Sequence, residues 1–176
     1  MLVEGTCVLT IETAATADFI RPMRWLLMTQ HRGTVPNRTG ILNVLSVSPQ
    51  EDDHASLQRI VNHSNWTLFQ ANHLAAALKL LRQHDISVVL CEQDLNSATW
   101  LDLLDHLREL PNAPSLVVTS RSADERLWAE VLNLGAWDVL SKPFDRDEVL
   151  RSVGAAWRHW RNAAIAAEPK VMRAAS

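Results

Sequence analysis

Ile86-Ser87-Val88-Val89-Leu90-Cys91 is the stretch that decides the fold. A strand with one wet face alternates apolar and polar residues. This one is nearly continuous in apolar residues, the pattern of a strand covered on both sides, as in a parallel sheet between helical layers. Outward from it the same unit repeats. Ile41-Leu42-Asn43-Val44-Leu45-Ser46-Val47 reads as a strand, followed by a helical stripe of Leu57, Ile60 and Val61. Trp66-Thr67-Leu68-Phe69 reads as the next strand, with Leu74, Leu78 and Leu81 at helical spacing after it. Downstream come a helix carrying Leu101, Leu104 and Leu107, and the strand Ser115-Leu116-Val117-Val118-Thr119. Then follow a helix with an inward stripe of Leu127, Val131 and Leu134, the strand Ala136-Trp137-Asp138-Val139-Leu140, and a last helix. Ser122 with Glu125, and Asp145 with Glu148, have capping-box spacing at two helix starts. Five strands, each followed by a helix, require right-handed crossovers, so the expected fold is α/β, a doubly wound five-stranded parallel sheet.

Composition narrows the function classes. The chain has 176 residues, enough to bury one core without disulfides or metals. Its net charge of −3 gives no general affinity for nucleic acid. Cys7 and Cys91 are far apart and lack metal-ligand spacing, which fits a reducing, cytoplasmic setting. The longest apolar stretch near the N-terminus, Trp25-Leu26-Leu27-Met28, is far short of the roughly 20 residues of a spanning helix. Residues 1–40 show no sustained period and end in a Gly- and Pro-containing stretch, so they are expected to be a poorly ordered extension. The domain is expected over 41–161, with a tail over 162–176 too short for an output domain.

In open α/β sheets the working residues lie on loops at the carboxyl ends of the strands. Those positions hold Ser48-Pro49, Glu92, Thr119-Ser120 and Lys142-Pro143. The run Gly135-Ala136-Trp137-Asp138-Val139-Leu140-Ser141-Lys142-Pro143-Phe144, beyond Thr119-Ser120, resembles the fifth-strand motif of bacterial response-regulator receiver domains. Together with the five βα units, the resemblance covers 41–161. It implies a flavodoxin-like (βα)5 fold and a place in two-component phosphorelay signalling. In that family a histidine kinase phosphorylates an Asp ending the third strand. Two acids after the first strand help hold a divalent cation, and the Lys and Thr or Ser contact the phosphoryl oxygens.

Carried over by position, the resemblance makes Lys142 the lysine, Thr119 the hydroxyl and Glu92 the phosphoacceptor equivalent. Ser48 and Pro49, or Ser46 and Val47, stand where the acid pair belongs. Asn96 replaces the Pro after the acceptor, Trp100 the Gly opening the next helix, and Val139 the switch aromatic. Asp52 and Asp53 fall just before the Leu57 stripe and read as dipole-favoured acids of a first helical turn. Glu51 and Asp94 are the other acids near the pocket. On this reading Glu92 alone faces Lys142, the formal charge is zero, and no metal is required. No magnesium or other cofactor is therefore expected.

The resulting expectation is a stand-alone, non-enzymatic, receiver-like interaction module that does not depend on phosphorylation. Its alternative is an active phosphoacceptor with an atypical site. An unrelated enzyme has little support: no Gly-rich phosphate loop follows the first strand, and the seven histidines, His54 among them, read as scattered and solvated. The expected partner is a kinase or a downstream signalling protein, or a second copy of the chain. It would dock on the fourth helix, fifth strand and fifth helix, with Trp128, Trp157 and Trp160 as anchors. Basic residues alternate with tryptophans in Trp157-Arg158-His159-Trp160-Arg161, but a solvated final helix is the commoner reason for such a pattern, and neither nucleic acid nor membrane is expected as partner.

Overall fold

The computed structural model describes residues 41–167, and all five expected strand–helix units lie within them. The strands are β1 (Leu42–Val47), β2 (Trp66–Ala71), β3 (Val88–Glu92), β4 (Ser115–Ser120) and β5 (Asp138–Ser141). The helices are α1 (Glu51–Val61), α2 (Leu74–Gln83), α3 (Trp100–Arg108), α4 (Glu125–Asn133) and α5 (Arg146–Ala167). The sheet order is β2-β1-β3-β4-β5 and every pairing is parallel. The expected extension over 1–40 and the residues from 168 onward lie outside the described residues.

Strand alternation divides the core into two layers. Leu45, Val47, Val89, Cys91, Val118 and Val139 pack with Ala77 of α2, with Leu103 and Leu107 of α3, and with Leu127 and Val131 of α4. Their neighbours Val44, Val88, Leu90, Val117 and Leu140 pack with Leu57 and Ile60 of α1 and with Val149, Val153 and Ala156 of α5. All five residues of β3 are buried, as its apolar run requires.

Several local expectations change. Leu134 is 39% exposed, not part of the inward stripe, because α4 ends at Asn133 and Gly135, at φ 90°, turns the chain away. The N-cap of α4 is Asp124, not Ser122; its Oδ1 accepts from the Leu127 N–H at 2.8 Å. Asp145 does accept from the Glu148 N–H at 2.9 Å. A further cap at α3 went unread: Asp102 Oδ2 accepts from both the backbone N–H and the hydroxyl of Thr99, at 2.7 and 3.0 Å. Those bonds hold the Asp102 carboxyl below its ordinary range. Finally, α5 continues past residue 161 to Ala167, so the expected end of the domain falls inside a helix.

Candidate functional site

Side-chain parity brings the site together. Val44, Leu90, Val117 and Leu140 face α1 and α5. Two residues further on, or four for the last in β1, the same face carries Ser46 and Ser48, Glu92, Thr119 and Lys142. The register sets Glu92 beside Thr119. At the carboxyl edge the apolar layer thus gives way to polar side chains, all pointing toward the start of α1.

At the centre is the Lys142 ammonium, whose side chain is only 4% exposed. It donates to Asp53 Oδ2 at 2.6 Å, to Gln50 Oε1 at 3.3 Å, and forms an ion pair with Glu92 Oε2. An ammonium has three N–H donors, so each has an acceptor here. The same Glu92 oxygen accepts from the Thr119 hydroxyl at 3.1 Å, and Asp53 Oδ2 accepts from the Ser48 hydroxyl at 2.5 Å. Two carboxylates therefore share one cation in a buried setting, where an unpaired charge is costly.

Asp53 corrects the sequence reading. It does lie in the first turn of α1, as expected, but it is 6% exposed and bonded to Lys142 rather than left to favour the helix dipole. Glu92 is consequently not the sole acid facing the lysine, and the formal charge of the trio is negative, not zero. The signal was present: Asp53, Leu57, Ile60 and Val61 share one helical face, so an acid heads the buried stripe.

His54 is the second correction. It is 2% exposed rather than solvated. Its Nε2 lies 3.1 Å from the Ser48 carbonyl oxygen, which only accepts, so the proton sits on Nε2. Nδ1 lies 2.9 Å from the Ser46 hydroxyl. The two bonds tie the end of β1 to the first turn of α1, next to Asp53.

The remaining positions divide clearly. Pro49 is half-buried, while Pro143 is exposed and follows a cis peptide bond from Lys142. Glu51 does not reach the pocket; its Oε1 accepts from Asn72 Nδ2 at 3.0 Å. Asp94 accepts from the Asn96 N–H at 2.9 Å and shapes the β3–α3 loop, in which Asn96 adopts φ 67°. Val139, at the switch position, is buried in the layer with α4. Cys91 is buried, and desolvation, with the charge of Glu92 second, pushes its thiol up, so it acts as a core residue.

The divalent cation that the resemblance implies does not fit this donor set. Such ions take about six oxygens. Ser48 and Pro49 offer no carboxylate, and an ammonium already sits between Asp53 and Glu92. Among the described residues no three His, Cys, Asp or Glu side chains are grouped as a metal site needs.

The three tryptophans part company. Trp128 of α4 is 40% exposed, beside Leu132 at 46% one turn on. Trp157 is half-buried against the α5 layer, with the Arg161 guanidinium 4.6 Å above its ring. Trp160 was expected as an anchor beyond the sheet and is instead 4% exposed, its indole N–H directed at the Asn112 carbonyl at 3.4 Å. The loop between α3 and β4 meets α5 at Trp160 through Asn112, a contact that strand and helix lengths alone did not reveal.

Residues 44–154 match the family described as the response regulator receiver domain. The transcriptional regulatory protein KdpE of Mycobacterium tuberculosis is 36% identical over 92 residues, 52% of this chain and 39% of the relative. The chain spans under half the length of the curated relatives it matches. Among solved structures, the signal receiver domain of an HD domain-containing protein from Pseudomonas fluorescens Pf-5 aligns with a TM-score of 0.63 at 26% identity, covering 69% of this chain and 90% of that one. A response regulator from Thermotoga maritima aligns with a TM-score of 0.61 at 21% identity, covering 66% and 98%.

Proposed function

The chain belongs to the response regulator receiver family, and we propose that it is a phosphorylation-independent member, a pseudo-receiver whose Glu92 carboxylate takes the place of a phosphoryl group. Its domain is a signalling module of two-component type rather than a classical enzyme. One observation carries the reading. The lysine and hydroxyl that the family directs at phosphoryl oxygens, Lys142 and Thr119, both engage Glu92 Oε2, and the other donors of Lys142 are held by Asp53 and Gln50. An incoming phosphoryl group would have to displace Glu92 from both. A Glu nucleophile also carries one more methylene than Asp, and such misplacement is costly for in-line transfer.

On this reading the module is cytoplasmic and works by binding a protein, a kinase, a downstream signalling protein or a second copy. The surface would be α4, β5 and α5, with the exposed Trp128 and Leu132 at its centre. Among the described residues no helix is long and apolar enough to cross a membrane.

The test is intact-mass spectrometry after incubation with acetyl phosphate, with and without magnesium. The expected spectrum shows no phosphoryl adduct and no magnesium dependence. An adduct that disappears in Glu92→Gln would overturn the proposal in favour of an active phosphoacceptor.

A further inference from the structure

Beside the Lys142 cluster a cleft of about 760 Å³ opens between α1, the β4–α4 loop and the start of α5. Its volume falls within the roughly 300–1,000 Å³ of small-molecule sites. The wall carries three guanidinium groups, Arg59, Arg121 and Arg146, together with the apolar surfaces of Pro143 and Phe144. Lys142 also lines it, but its ammonium points inward to Asp53 and Glu92. Among the described residues Arg59 and Arg121 have no carboxylate partner. Arg59 donates within its own helix, to the Ala55 carbonyl and the Ser56 hydroxyl. Arg146 meets the solvent-exposed Asp147 at 3.6 Å. Asp52 is the single acid of the wall outside the Lys142 cluster. Positive charge is thus gathered here on a chain whose net charge is −3.

We propose that this cleft binds a nucleoside phosphate, without covalent transfer. The arginines, drawn from three separate elements, converge on the phosphates, for which the guanidinium fork is suited. Phe144 and Pro143 offer the planar and apolar surface that a base requires, and guanidinium faces add further stacking. The cleft adjoins the Glu92 cluster, with Asp53 and Lys142 on their shared wall. The proposed contacts are made by the arginines, Pro143 and Phe144, so the proposal stands whether or not Glu92 accepts phosphate.

The experiment titrates the full chain with nucleoside mono-, di- and triphosphates, free nucleosides and inorganic phosphate, read by calorimetry and by amide shifts in two-dimensional NMR. At least one nucleotide is expected to saturate at one-to-one stoichiometry, more tightly than inorganic phosphate or its own nucleoside. Affinity should fall with added salt. Arg121→Gln and Arg146→Gln, both at exposed positions, should each weaken it by about tenfold or more with melting unchanged. Saturation by no nucleotide overturns the proposal, as does equal binding of inorganic phosphate, which marks simple anion attraction. Shifts confined to Glu92 and Thr119 would place the ligand in the inner pocket and overturn it equally.

Discussion

At the residue scale the protein is organised around a single ammonium. Lys142 is shared by two buried carboxylates, so its removal leaves Asp53 and Glu92 without a cation. Breaking a buried pair from one side costs about 3–5 kcal/mol. Lys142→Met should therefore lower the urea midpoint strongly, while Glu92→Gln, which leaves Lys142 paired with Asp53, should cost clearly less. If the two variants unfold at the same midpoint, Asp53 is not the principal partner. Asp53 also shows how a residue can be placed correctly and still be misread. Its position in the first turn of α1 was legible; its role was not, because a helix dipole explains an acid there equally well until a lysine 89 positions away arrives.

At the element scale, caps and tryptophans separate what a helix needs from what its neighbours need. Thr99 and Asp102 close the start of α3. Thr99→Ala should cost about 1 kcal/mol in thermal unfolding. The Asp102 carboxyl is lowered from an ordinary value of 3.8. Its contribution is therefore complete above that value and is lost as the pH falls through the lowered native one. Asp102→Asn should accordingly flatten the acid limb of the stability curve below the ordinary value and leave its shape near neutrality unchanged. On α5, Trp160→Ala should cost about 3 kcal/mol or more, because it empties a buried site. On α4, Trp128→Gln should cost clearly less than Trp160→Ala, because Trp128 is 40% exposed. Equal destabilisation by both would mean that Trp128 is covered in solution.

At the scale of the whole molecule, the exposed Trp128–Leu132 patch belongs to α4, on the sheet face opposite the one that carries the inner pocket, and the resemblance implies an aromatic coupling residue where Val139 packs in the α4 layer. Glu92→Gln should thus change stability more than it changes association, and Trp128→Gln the reverse, measured by sedimentation and partner pull-down on folded protein. The sequence by itself determined the five βα units, the doubly wound sheet and the carboxyl-edge positions of Glu92, Thr119 and Lys142. Periodicity and strand parity are local properties, and five repeats of them admit few topologies. Only the tertiary structure decided that Asp53 turns into the pocket, that His54 is buried with its proton on Nε2, and that Trp160 is covered while Trp128 is not. Asp53 and Trp160 depend on partners distant in the chain, Lys142 and the loop at Asn112, and His54 depends on how α1 folds back on the end of β1. A side chain's own neighbours in sequence fix which way it points, but what waits there is set by how the layers close.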